Sequence, residues 1–303
     1  MHHRNIHHPD YPIDKLVSAN PLLKQYLTSR PDGSGPTIDF ARPAAVKALN
    51  QAILLHHYNL SYWDIPEGYL CPAVPGRVDY IHHLADLLAD QKDIPKGPQV
   101  NLLDIGTGAN FIYPILAHRI YGWSVVGTEI DPKAIQVAQA LIEVNDVLNG
   151  KHLRVRQQPD RRQILAGVIR PDEQYHATIC NPPFFASERE ATQAYTRKQS
   201  KLGLPVTRRA LGGQAHELWT PGGETAFLLR YIQESQAFAK NIRWFTSLVS
   251  QKNSLASAKK ELERTGDAEV RVIPMAQGQK KSRVLAWHFG TRETNSERRD
   301  CRD

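Results

Sequence analysis

The spacing of apolar residues changes along this chain, and the change divides it in two. Between Ala44 and His57, Val46, Leu49, Ile53 and Leu54 recur at helical spacing and predict an amphipathic helix. Asp39, Arg42 and Pro43 supply the start chemistry for it. From Ile65 to Arg77 the chain carries Pro66, Gly68, Pro72, Pro75 and Gly76, a density of breakers that predicts ordered loop throughout. A second helix is expected from Val78 to Ala89, and Pro95, Gly97 and Pro98 close this N-terminal region.

Beyond it, short apolar runs alternate with helical segments. Strands are predicted at Val100–Ile105, Trp123–Ile130, Leu153–Arg156, Tyr175–Cys180, Ile242–Val249, Glu269–Ile273 and Arg283–Phe289, and helices at 132–145 and 225–239. Such alternation builds a mostly parallel α/β sheet, and the short link between the last two strands predicts an antiparallel hairpin at one edge. The expected architecture is α/β: a Rossmann-like sheet of seven strands, laid out as in class I methyltransferases, behind an N-terminal helical region. The domain boundaries expected are 1–97 for the N-terminal helical and loop region, 98–291 for the sheet domain and 292–303 for a polar tail.

Composition narrows the class. With 303 residues, 41% hydrophobic and 23% charged, the chain can bury a large core and is not disordered as a whole. No apolar run approaches the ~18 residues of a membrane span, and no leader pattern is present, so a cytoplasmic protein is expected, with a monomer favoured. Cys71, Cys180 and Cys301 fit neither a disulfide framework nor a zinc spacing. The opening histidines, His2, His3, His7 and His8, lack a second ligand cluster in sequence and read as a basic N-terminal arm, so no metal is expected. A net charge of +7 suits an anionic partner, although it would also serve solubility alone.

The first candidate for chemistry is Asp104-Ile105-Gly106-Thr107-Gly108-Ala109-Asn110, directly after the first sheet strand. Gly106 and Gly108 allow a tight turn and close approach of a ligand at the carboxyl edge of the sheet. A dinucleotide fingerprint would place a third glycine at position 111; Phe111 stands there, which argues against NAD. Glu129 ends the second strand, about 25 residues past Asp104, where a carboxylate can accept ribose hydroxyls. Asp131 reads as the cap of the next helix, with Pro132 in its first turn. Asp104 would order the turn and face a cofactor's amino group.

The second candidate is Asn181-Pro182-Pro183-Phe184-Phe185, after the fourth strand. In such sheets that strand lies beside the first, so both motifs face one site. An exocyclic amino nitrogen conjugated with a ring is a poor nucleophile. The Asn181 side-chain oxygen and the Pro182 carbonyl can accept its two N–H bonds and favour the nitrogen with its lone pair turned out of plane. This is positioning and electrostatic stabilisation, and it needs no strong base. Pro182 and Pro183 fix those acceptors, and Phe184 or Phe185 offers a ring face for stacking. The motif therefore points to S-adenosylmethionine-dependent methylation of a conjugated amino group. Two cationic segments could contact RNA phosphate or be simple solvated loops: Arg197, Lys198 and Lys201 with Arg208 and Arg209, and the loop Met275–Arg283 with Lys280 and Lys281. RNA is favoured for the former.

Longer stretches carry a resemblance. Asp39-Phe40-Ala41, Trp63-Asp64-Ile65-Pro66, Leu70-Cys71-Pro72, Pro75-Gly76-Arg77, the Asp104–Asn110 turn, Cys180-Asn181-Pro182-Pro183-Phe184, Trp244–Ser250 and Met275–Lys280 resemble the ribosomal large-subunit RNA adenine-N6 methyltransferase family (RlmF) over almost the whole chain. The resemblance implies methyl transfer from S-adenosylmethionine to N6 of one adenine in 23S ribosomal RNA, free or in a precursor large-subunit particle. The chain is also similar to the catalytic domain of a eukaryotic adenine-N6 RNA methyltransferase. From that relative, Arg77, Gly106, Asn110 and Glu129 are implied as cofactor contacts, with Asn181 and Phe184 at the target base. Phe111, Phe185 and the Arg208–Leu211 stretch depart from the family pattern. The rival activities are protein glutamine N5 methylation, which uses the same Asn-Pro-Pro-aromatic motif, and a non-catalytic RNA-binding assembly factor.

Overall fold

The computed structural model describes residues 1–7, 11–148, 150–201, 215–277 and 280–290. The N-terminal region comprises α1 (Ile13–Ala19), a 3-10 turn (Pro21–Tyr26), an antiparallel ribbon of β1 (Leu27–Ser29) and β2 (Pro36–Ile38), α2 (Pro43–Tyr58) and α3 (Val74–Ala89). The expectation of loop through Arg77 is corrected: α3 begins at Val74, with Pro75 in its first turn. Proline is tolerated there because a first-turn N–H has no intrahelical acceptor to lose. Arg77 therefore sits on a helix.

Among the described residues the histidine-rich N-terminus is not a free arm; His8 lies outside them. His2, Asn5 and His7 are buried. Asn5 Nδ2 and the His2 N–H both donate to Asp79 of α3, at 2.5 and 2.9 Å, and His7 Nε2 meets the Tyr58 hydroxyl at 2.7 Å. His2 does meet other ligand-type side chains, His83 and Asp86, within 4.8 Å. Asp86 is already paired with Arg4 at 2.6 Å, which opposes a cation there.

The main sheet holds seven strands among the described residues: β3 (Asn101–Ile105), β4 (Ser124–Glu129), β5 (Leu153–Gln157), β6 (Tyr175–Cys180), β7 (Ile242–Val249), β8 (Ala268–Gln277) and β9 (Lys280–Phe289). Their order is β5-β4-β3-β6-β7-β9-β8; β5 through β7 are parallel and the β8–β9 hairpin is antiparallel at the edge, as expected. The hairpin runs further than predicted. Pairing continues to Gln277↔Lys280, so most of the expected Met275–Arg283 loop is strand.

Helices α4 (Ile112–Tyr121), α5 (Pro132–Val144), α6 (Glu188–Lys201), α7 (Ala215–Leu218), α8 (Gly223–Ser235) and α9 (Lys252–Thr265), with a 3-10 turn (Gln236–Phe238), complete the elements among the described residues. Two of these escape hydrophobic periodicity. α9 buries only Ser254, Ala258 and Leu262, a narrow stripe with one large residue, and α6 is mostly polar, with small Ala191 as a buried apolar position. One apolar cluster runs from Leu16, Leu54 and Leu84 of the N-terminal region into Leu102, Ile115 and Trp244. A second, with Leu103, Tyr231 and Trp287, fills the other face. Among the described residues no helix is long and apolar enough to cross a membrane, and Cys71 and Cys180 are free thiols.

The strand order reverses around β3: the chain moves outward through β4 and β5, then returns to place β6 on β3's other side. Ligands bind at the carboxyl ends of strands at such a switch point. Ile105 pairs with Cys180, so the turn after β3 and the segment after β6 leave the sheet side by side.

Candidate active site

A cavity of about 440 Å³ opens at that switch point, within the size range of small-molecule sites. Gly106, Gly108, Asn110, Glu129, Arg77, Asn181, Pro182 and Pro183 all line it. Residues from four separate parts of the sequence are thus brought together. Gly106 and Gly108 both have positive φ, +67° and +66°, and a Cβ on Gly106 would meet nothing within 4 Å. That open backbone is a cradle a ligand can approach closely.

Glu129 is 4% exposed. It is fixed by backbone donors: Gly108 N–H at 2.9 Å on Oε2, Ile130 and Asp131 N–H at 2.7 and 3.0 Å on Oε1. The strand-end carboxylate therefore also shapes the glycine turn. Asp131 caps α5, accepting from the Lys133 N–H at 3.0 Å, and takes the Tyr69 hydroxyl at 2.5 Å.

Asn110 spends its side chain on the protein. Its Oδ1 accepts from Ile112 N–H at 3.1 Å and its Nδ2 donates to the Leu70 carbonyl at 3.3 Å. Trp63 Nε1 donates to the Asn110 carbonyl at 2.9 Å. The breaker-rich loop before α3 is thereby pinned over the glycine turn.

Asp104 lies beneath the turn, buried, rather than on the cavity wall. Its Oδ2 has no hydrogen-bond partner. Burial pushes its pKa up to about 7; the adjacent Thr107 hydroxyl opposes the shift, Glu129 adds to it and Arg77 opposes it more weakly. A buried carboxyl group behind the cavity wall suits a ligand that brings a cationic amino group through charge, without direct contact. An open glycine cradle, a carboxylate able to accept vicinal hydroxyls and a guanidinium able to bind a carboxylate are groups that fit S-adenosylmethionine.

Arg77 extends from α3 to the Asn-Pro-Pro segment: its Nη1 donates to Asn181 Oδ1 at 3.2 Å and to the Tyr113 hydroxyl at 3.0 Å. Its guanidinium carbon lies 5.4 Å from the Tyr113 ring centroid. Phe184 and Phe185 are not on the cavity wall. Their N–H groups both donate to the Leu218 carbonyl, at 3.1 and 3.0 Å, and Thr220 N–H returns a bond to Phe185 at 3.0 Å. The segment after β6 is thus clamped to residues 218–220.

Those residues are what the sequence reading misses. Glu217, Trp219, Phe227 and Arg230 line the cavity. Glu217 Oε2 accepts the Leu70 N–H at 3.1 Å, and Trp219 Nε1 and Arg230 Nε are buried without a hydrogen-bond partner. The aromatic pair in Trp219-Thr220-Pro221 and Phe227, just ahead of and inside a predicted helix, was the available signal. Of the expected cationic contacts, Arg197, Lys198 and Lys201 fall on α6 and Lys280 and Lys281 at the start of β9. Arg208, Arg209 and the 292–303 tail lie outside the described residues.

The strand order, the glycine turn after β3, the carboxylate ending β4 and the Asn-Pro-Pro segment after β6 define a class I S-adenosylmethionine-dependent methyltransferase. Residues 1–291 match the model of the Methyltransf_10 family, described as RNA methyltransferase, and the chain belongs to that family. It is 48% identical over 297 residues to Ribosomal RNA large subunit methyltransferase F of Desulfotalea psychrophila, covering 95% of this chain and 94% of that one. It is 46% identical over 309 residues to the protein of the same name from Ectopseudomonas mendocina, covering 100% and 92%. Among solved structures it is similar to the hMettl16 catalytic domain in complex with the MAT2A 3'UTR hairpin 1, with TM-score 0.81, 31% identity and 96% of each chain covered. The N-terminal domain of human METTL16 in complex with SAH gives TM-score 0.76 at 30% identity, covering 95% of this chain and 98% of that one.

Proposed function

We propose that this chain transfers the methyl group of S-adenosylmethionine to the exocyclic N6 of one adenine in 23S ribosomal RNA, free or within a precursor large-subunit particle. One observation carries the reading: Asn181 and Pro182, the residues that bear the motif's two acceptors, line the same cavity as the glycine turn and Glu129. The names of the curated relatives supply the substrate class.

When bound, S-adenosylmethionine supplies a methyl group on a sulfonium, ready for displacement. The protein's part is positioning. Asn181 Oδ1 and the Pro182 carbonyl each accept one N–H of the adenine amino group, which frees the nitrogen lone pair from the ring. Both oxygens stabilise the positive charge that grows on that nitrogen. The proton is shed once the C–N bond has formed, so no strong base is required. Phe184, Trp219 and Phe227 are assigned to stack on or beside the base, which must leave any helical stack to enter. The 1–97 region, the cations of α6, Arg208 and Arg209, and Lys280 and Lys281 are assigned to RNA phosphate.

The test is transfer of labelled methyl to large ribosomal RNA, followed by digestion to nucleosides, with Asn181→Ala alongside. Label in N6-methyladenosine that vanishes in the variant, with SAH binding retained, is expected. Label in a protein fraction would support glutamine methylation instead. No label in RNA, precursor particle or protein would leave a non-catalytic binding role.

A further inference from the structure

The acceptor that the chemistry needs already has a donor. Arg77 Nη1 lies 3.2 Å from Asn181 Oδ1, although the two residues are 104 apart in sequence and come from different regions of the fold. A guanidinium can only donate, so this contact fixes which end of the Asn181 amide faces the cavity. It also works against the reaction. A cation on the acceptor oxygen weakens that oxygen as an acceptor and opposes positive charge growing on the nitrogen it should hold.

The cofactor's amino-acid end offers Arg77 a stronger partner. A carboxylate adds its own negative charge and an often bidentate geometry to the guanidinium's bonds, which a neutral amide oxygen cannot do. Arg77 and Asp104 interact electrostatically at this end of the site. They form the complementary pair that a zwitterionic ammonium and carboxylate require. Tyr113, which holds the same Nη1 at 3.0 Å and lies under the guanidinium, keeps the side chain in the cavity while it exchanges acceptors.

We propose that Arg77 couples the two substrates: the cofactor's carboxylate draws its guanidinium from Asn181 Oδ1 and so releases that oxygen to accept the adenine amino group. Target-adenine binding is thereby strengthened by the carboxylate of the cofactor and not by its nucleoside. The proposal rests on the reading of the site given above.

The experiment compares RNA affinity in the presence of saturating SAH and of saturating 5′-methylthioadenosine, which keeps the thioether nucleoside and lacks the amino-acid end. The RNA is whichever one takes label as N6-methyladenosine, so failure of the methylation reading shows before coupling is measured. With the wild-type protein, SAH is expected to tighten RNA binding by about fivefold or more over methylthioadenosine. By reciprocity, RNA tightens SAH binding by the same factor and leaves methylthioadenosine unchanged. Equal RNA affinities with the two ligands would overturn the proposal while leaving the methyl-transfer reading intact. In Arg77→Gln, which keeps donors without the charge, the difference is expected to disappear. If it persisted, Arg77 would not be the coupling residue. Should that variant fail to fold, the comparison of the two ligands on the wild-type protein still decides.

Discussion

Phe111 lies against Gly127 so closely that a Cβ at Gly127 would stand 2.9 Å from the Phe111 ring and 2.9 Å from Thr107. Phe111 is fully buried and takes a left-handed backbone, φ +48°, at the start of α4. The residue that occupies the place of a third fingerprint glycine is accommodated by a glycine on the neighbouring strand. Gly127→Ala is therefore expected to destabilise the protein by about 1–3 kcal/mol through overpacking. Thermal and urea unfolding will read this, and an unchanged midpoint would contradict the close packing.

Glu129→Gln keeps the size of the side chain and replaces one acceptor oxygen with a donor facing backbone N–H groups. Hydrogen bonds to a charged acceptor contribute about 1.5–3 kcal/mol, so SAH affinity is expected to fall by about tenfold or more. Calorimetric titration measures it. Retained affinity would remove Glu129 from the cofactor site.

Asp104 carries a pH dependence whose sign is set by burial. The folded protein holds this carboxyl protonated up to about 7, whereas an unfolded aspartate ionises near 4, at about 3.9. Between those values the folded state binds a proton that the unfolded chain has released. Its contribution to stability therefore falls as pH rises from about 4 through about 7. Asp104→Asn should flatten that part of the stability profile. SAH affinity should rise with pH across the same window in the wild type, since a cationic amino group favours the ionised carboxylate, and should lose that slope in the variant.

Glu234 of α8 accepts three successive backbone N–H groups, those of Ile164, Leu165 and Ala166, at 2.8, 2.9 and 2.6 Å. This orders the segment after β5 that contributes Gln163 and Ile164 to the cavity wall. Glu234→Ala is expected to cost at least about 1 kcal/mol of stability and to weaken SAH binding. Loss of stability with full affinity would show that the loop's conformation does not matter to the cofactor.

The cofactor turn, the Glu129 carboxylate, the Asp131 cap and the Asn-Pro-Pro segment were legible because each is a local pattern at a strand end, where an α/β sheet places its ligands. Arg77 is different. Its hydrogen bond to Asn181 depends on how α3 packs across the sheet, which no local period encodes, and the prolines and glycines around it hid the start of its helix. Trp219 and Glu217 come to the cavity because residues 218–220 bond to the Phe184-Phe185 backbone, a pairing that leaves no trace in composition. α6 and α9 were missed for a related reason: helices with little apolar surface are held by propensity and small residues, not by a hydrophobic stripe.

The wall that α3 and its preceding loop give to the cavity has a consequence for how small such an enzyme can be made. A chain begun at residue 98 would keep the seven strands, the glycine turn and the Asn-Pro-Pro motif, and so every feature by which the fold is recognised. It would lose Leu70, Pro72 and Arg77 from the site and would leave Leu102, Ile115 and Trp244 without the apolar partners that cover them. The recognisable unit and the working unit are different lengths of the same chain.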